Sequence, residues 1–121
     1  MAMTKEEKLQ ILVNLAVRYI QDNDVENPDY VGQGEYEGTS DLEIESDFAD
    51  GSVGYLKGRY VEDFEDDSDY SREGYGYCPT ITECVATVDS ISIIDKDNND
   101  IEISVADMIV AETEINKEVN I

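Results

Sequence analysis

The chain has 121 residues, with thirty Asp and Glu against eight Lys and Arg, no histidine and a formal net charge of −22. That balance argues against direct binding to nucleic acid or an anionic membrane surface, both of which would repel it, and the missing histidine removes the usual proton carrier at neutral pH. Apolar residues make up 40% of the chain, and eight tyrosines are among them, enough to bury one small core, so a single folded domain is expected over 1–121 rather than a disordered acidic tail.

Thr4 followed by Glu7 forms a capping-box pattern, and Leu9, Leu12, Val13, Ala16 and Ile20 then recur at helical spacing. This predicts an amphipathic helix over 5–21. From Asp22 to Ser40 the chain has Pro28, three glycines and no apolar period, which predicts a long acidic loop and the most mobile region. Residues 41–48, DLEIESDF, alternate with Leu42, Ile44 and Phe48 on one face and Glu43, Glu45 and Asp47 on the other. The reading is a half-buried strand with an acidic outer face. Asp50-Gly51 then supplies turn chemistry, and VGYLKGRYVEDF returns as the second strand of a hairpin, with Lys57 and Arg59 set to meet Glu43 to Asp47 across the pair.

Residues 65–79, EDDSDYSREGYGYCP, read as a polar connection. The long β-type run TITECVATVDSISIID changes phase near Asp89 and Ser90, where a bulge would return both halves to the core. DKDNND is a turn cluster, IEISV a short returning strand, and Ser104 with Asp107 a second capping pattern that opens a helix over about 105–117. The order predicts an α+β fold with an antiparallel sheet of about four strands between an N-terminal and a C-terminal helix. Its expected core is Leu42, Ile44, Phe48, Leu56, Val61, Val85, Val88, Ile91, Ile93, Ile101 and Ile103, with Tyr19, Tyr55 and Tyr60 as core tyrosines.

Few parts of the chain could carry chemistry. There is no GxSxG, no Gly-rich phosphate loop and no HExxH helix, and carboxylates are so abundant that no single pair stands out as catalytic. The expectation is no enzyme, no cofactor and no metal. Asp95, Asp97 and Asn99 alternate like the opening of a calcium loop, but Asp100 stands where the sharp turn needs glycine and Ala106 where a bidentate Glu belongs, so a polar hairpin turn is the better reading. Cys78 and Cys84 read as small half-buried groups in a reducing compartment rather than as a disulfide. The opening segment MAMTKEEKLQILVNLAVRYI lacks an uninterrupted apolar stretch, and a cytoplasmic protein is expected.

The acids are distributed unevenly. Residues 22–50 hold eleven and no base, and 61–70, VEDFEDDSDY, hold six in ten. Tyrosines are interleaved with them, and tyrosine with carboxylate suits a contact with Arg and Lys. The candidate partner-binding residues are Glu43, Glu45, Asp47, Glu62, Asp63, Glu65, Asp66, Asp67, Asp69, Tyr70, Tyr75 and Tyr77. A body of this size is roughly 35 Å across. That length of duplex DNA carries about 20 phosphates, close to the net charge here.

The small size, the acidity, and the succession of helix, Tyr-rich β-region and VDSISIIDKDNNDIEIS hairpin resemble the accessory proteins that tailed bacteriophages express early in infection. That class includes anti-CRISPR and anti-restriction proteins that imitate DNA. With the charge it points to an inhibitor of a basic nucleic-acid-binding protein, such as a bacterial defence nuclease complex, and the domain is expected to be a monomer or a homodimer. The alternative is a phage accessory or minor structural protein whose acidity serves only solubility.

Overall fold

The computed structural model describes residues 3–23, 29–32, 35–66 and 79–120. Helix α1 spans Lys5–Asp22 and helix α2 Val105–Val119, and between them lie strands β1 Asp29–Gly32, β2 Glu35–Asp47, β3 Val53–Asp66, β4 Pro79–Ile94 and β5 Asp100–Ile101. The strands form one antiparallel sheet in the order β1-β2-β3-β4-β5. The α+β class and both terminal helices therefore stand, with five strands where four were expected. Both helices start in full capping boxes, Thr4 with Glu7 and Ser104 with Asp107.

The additional strand pairing lies inside the predicted acidic loop. Residues 29–32 and 35–40 are strand, whereas 24–28 and 33–34 lie outside the described residues. EYEGTS gave no period-2 signal because its side chains supply no apolar face, and the strand is made by backbone pairing to β3, from Glu35↔Glu65 to Ser40↔Tyr60.

The β2–β3 and β4–β5 turns share one construction. At the first, Phe48 N–H donates to the Ser52 carbonyl and Gly51 N–H to the Phe48 carbonyl, with Gly51 at φ 87°. At the second, Asp95 N–H donates to the Asn99 carbonyl and Asn98 N–H to the Asp95 carbonyl, with Asn98 at φ 67°. Glycine and asparagine occupy the left-handed position that other residues disfavour. Asp95 Oδ1 also accepts from the N–H groups of Asp97 and Asn99, so the first carboxylate of that cluster serves turn formation.

One face of the sheet carries the helices. Leu42, Ile44, Leu56, Tyr60, Cys84, Ala86, Val88, Ile91 and Ile93 are buried on it, against Leu12, Val13, Ala16 and Ile20 of α1 and Ala111 and Ile115 of α2, and Phe64 is buried on the same face outside that cluster. The bulge expected in β4 is present: Lys57 pairs with Ser90 and Gly58 with Val88, leaving Asp89 as the extra residue. A second register shift, between Asp63↔Glu83 and Phe64↔Ile81, was not foreseen. Strand β3 has no bulge of its own, so its even-numbered residues face the helices throughout. Val61 is consequently half-buried on the opposite face and Val85 is 44% exposed, neither belonging to the core, while Ile101 and Ile103 pack at its margin. Tyr60 is buried, with its hydroxyl donating to the Asn23 carbonyl; Tyr19 packs edge-on against it and is 36% exposed, and Tyr55 lies half-buried on the open face.

Lys8 of α1 is buried and reaches Asp50 of the β2–β3 turn at 2.8 Å, while Asp50 also accepts from the Ser52 N–H and hydroxyl. This pins one end of α1 to the turn. Helix α2 lies along the outer edge of β4 and holds it through the side chains of Glu112, Asn116 and Asn120.

Candidate acidic interface

The face of the sheet away from the helices carries the charge. The odd-numbered residues of β2 point to it, and six of those seven positions are acidic: Glu35, Glu37, Asp41, Glu43, Glu45 and Asp47, all exposed, with Thr39 between. Alternate residues on a strand lie ~6.7 Å apart, so the strip runs about 40 Å.

The register decides which of these charges are offset. Glu43 lies opposite Lys57 and Asp41 opposite Arg59, so the centre of the face alternates in sign. Arg59 thus faces Asp41, outside the Glu43–Asp47 stretch where it was expected. Glu45 and Asp47 face Tyr55 and Val53, so no basic residue lies directly opposite either. The ion pairs that the described residues make with one another within 4.0 Å are Lys5–Asp107 and Lys8–Asp50, both on the helical side of the molecule.

At the other end of the face lies a feature that inspection of single strands missed. Asp29 pairs with Glu37, Glu37 with Asp63, and Asp63 with Glu83, which sets four carboxylates in one row across four strands at roughly 4.8 Å per strand. Glu35 pairs with Glu65 one step further on. Like charges directly opposite one another oppose strand pairing. The β4 bulge at Asp89 builds this row, since the register before it would set Asp63 against Cys84. The signal was available in the sequence: a hairpin folded at Asp50-Gly51 brings 37 against 63.

Of the residues proposed from sequence, Glu43, Glu45, Asp47 and Asp63 share this face. Glu62 does not. It is 2% exposed and lies on the helical side between Gly38 and Cys84, so its carboxylate leaves the set; in an unbulged β3 its even number places it inward. Glu65 and Asp66 end β3, paired in backbone register with Thr80 and Pro79. Asp67, Asp69, Tyr70, Tyr75 and Tyr77, together with Cys78, lie outside the described residues. Cys84 is buried beneath α2. Asp29, Glu35, Glu37, Asp41 and Glu83 were missed as site residues, and Tyr30 stacks edge-on with Tyr36 at 5.2 Å on the other side of the same hairpin.

Two of the carboxyl groups with displaced titration serve structure. Asp107 is drawn down to about 2 by the Lys5 ammonium and by the N–H and hydroxyl of Ser104, and Asp50 is pulled well below the carboxylate range by Lys8 and Ser52. Among the described residues no helix is long and apolar enough to cross a membrane, and no group of three or more Cys, Asp or Glu is arranged to hold a metal ion. Comparison with family models, with curated proteins and with solved structures finds no match to this chain.

Proposed function

We propose that the chain is a non-enzymatic acidic inhibitor whose open sheet face occupies the basic nucleic-acid-binding surface of another protein, a bacterial defence nuclease complex of the kind that phage inhibitors block, acting in the host cytoplasm. The observation that carries this reading is the geometry of the carboxylates. A strip of about 40 Å with charges every ~6.7 Å matches about two base steps of the ~3.4 Å rise of one DNA strand, and the row through Asp29, Glu37, Asp63 and Glu83 adds a second direction. Solubility alone needs acid on the surface, not four acids set in one cross-strand row, a placement that strand pairing ordinarily disfavours. The partner's Lys and Arg would exchange phosphates for carboxylates, so association should be fast and weaken steeply with salt. No catalytic step is needed, because occupying the surface is sufficient.

The test is competition. A partner captured from bacterial lysate should be released by excess duplex DNA or guide RNA, and should lose nuclease activity when the acidic chain is bound.

The alternative, an accessory or minor structural protein, is favoured by one observation: α2 exposes aliphatic Val105, Ile109 and Val110. Such a protein would join its partner through an apolar patch, and DNA would not compete.

A further inference from the structure

Helix α2 carries a stripe that the other described residues leave uncovered. Val105 is 73% exposed, Ile109 57% and Val110 62%, and Ala106 and Thr113 on the same side are exposed too. The five fall at i, i+1, i+4, i+5 and i+8, one continuous line along the helix. None is charged, in a chain with thirty acids. Val and Ile are poorer helix formers than Ala, Glu or Leu, so helix propensity does not call for them. Beside the stripe α1 and α2 part to leave a groove of about 330 Å³, lined by the aliphatic Leu9, Val13, Val110 and Ala111 together with the carboxylates of Glu6 and Glu114. The groove draws on residues 6–13 of α1 and 107–114 of α2, about two turns of each. The Lys5–Asp107 ion pair at 2.9 Å joins the first turns of the two helices at one end.

We propose that this groove and the adjoining stripe dock an amphipathic helix of a partner protein, aliphatic on its buried side and flanked by Lys or Arg. An aliphatic channel between two helices accepts a third helix through i, i+3/i+4, i+7 anchors. Charge selects which helix. A second copy of this chain would bring Glu6, Glu114 and a net −22 against the same charges, and an anionic membrane would be repelled in the same way. A basic helix is attracted by the whole field and meets carboxylates at the groove margin. This surface lies on the helical side of the molecule and stands independently of DNA mimicry by the open sheet face.

The test uses the full chain and two synthetic peptides of about 18 residues, identical in Lys content and position, one with a Leu stripe and one with Gln in its place. Titrations followed by NMR at about 0.3 M salt suppress binding by charge alone. The Leu peptide should bind at least about tenfold more tightly than the Gln peptide and shift the signals of Leu9, Val13, Val110 and Ala111. Val110→Gln and Ile109→Gln, both at exposed positions, should each remove most of that preference without changing helix content. Charge reversals at Glu37 and Glu83 should leave it intact, which separates this surface from the acidic face. Equal binding of the two peptides, shifts confined to the open sheet face, or indifference to Val110→Gln would overturn the proposal. So would self-association of the chain that Val110→Gln abolishes, since the stripe would then be occupied by a second copy.

Discussion

Asn116 meets Ala86 as a neighbouring strand would: its Oδ1 accepts from the Ala86 N–H at 2.7 Å and its Nδ2 donates to the Ala86 carbonyl at 2.9 Å. Asn120 repeats the pair on Cys84 at 3.1 and 2.7 Å, and Glu112 accepts from Val88 N–H at 2.9 Å. The periods agree. Four helical residues rise about 6.0 Å and two strand residues about 6.7 Å, so side chains at 112, 116 and 120 come into step with backbone at 88, 86 and 84. Helix α2 thereby closes the 84–88 stretch of the β4 edge, which no described strand covers because β5 pairs only with Ile93 and Ile94, and so masks the open template that sheets otherwise present to other chains.

Asn116→Ala should cost about 2–3 kcal/mol, because both hydrogen bonds to Ala86 go, with the one from its Nδ2 to the Glu112 carbonyl, and both polar groups of Ala86 are left without their partner. Urea denaturation would measure the loss. Light scattering should show association that grows with concentration as the β4 edge is uncovered. A loss under about 0.5 kcal/mol with no association would mean that water replaces the amide freely.

Gly58 lies beside the β4 bulge, and a Cβ built there would sit 2.0 Å from the Thr87 carbonyl oxygen. Gly58→Ala must push β3 and β4 apart at the centre of the sheet. A destabilisation of about 3 kcal/mol or more is expected, read as a fall in the urea midpoint. Unchanged stability would show that the bulge can relax.

Acid and base should act on stability through different groups. Asp107 and Asp50 titrate below their unfolded values, so their contribution is complete above pH ~3.9 and is lost as pH falls through the folded values, about 2 for Asp107 and lower for Asp50. Tyr60 is pushed above its ordinary value by burial, so its contribution is present below pH ~10 and is lost as pH rises through the folded value. Thermal melts should show both limbs, with Asp107→Asn flattening part of the acid limb and Tyr60→Phe part of the alkaline one. Raising salt from low to physiological strength at neutral pH should raise the melting temperature, because screening over about 8–10 Å relieves repulsion among the acids. Melts indifferent to salt would mean that the carboxylates are too far apart to interact.

The elements that announced themselves in sequence did so through apolar period or turn chemistry. DLEIESDF and the Asp50-Gly51 turn set the central hairpin, two capping boxes set the helices, and the polar pair Asp89–Ser90 marked the bulge. Where a strand is polar on both faces that signal vanishes, which is why β1 and the first half of β2 read as loop. Residue type misleads inside β3, where hydrophobicity points Val61 inward and charge points Glu62 outward, whereas parity decides: a strand without a bulge keeps Leu56, Tyr60 and Phe64 in phase and takes Glu62 with them. The acidic row is a property of three pairings at once, and no single segment displays it.

The register supports a functional test with effects of opposite sign. Glu37→Lys with Glu83→Lys breaks the acidic row, and under the inhibitor reading it should weaken the partner complex well beyond the same reversals at exposed Asp22 and Glu118 on the helices. Lys57→Glu does the reverse. It removes a positive charge opposite Glu43 and extends the negative strip, so affinity should rise, more so at low salt, where each added contact steepens the salt dependence. A face that serves solubility alone predicts no such asymmetry, because all these changes alter net charge without touching a contact. Binding measured by surface plasmon resonance at two salt concentrations, with and without duplex DNA as competitor, decides between them. If Lys57→Glu weakens binding, or if reversals on the helices cost as much as those on the row, the open face is not the surface that the partner reads.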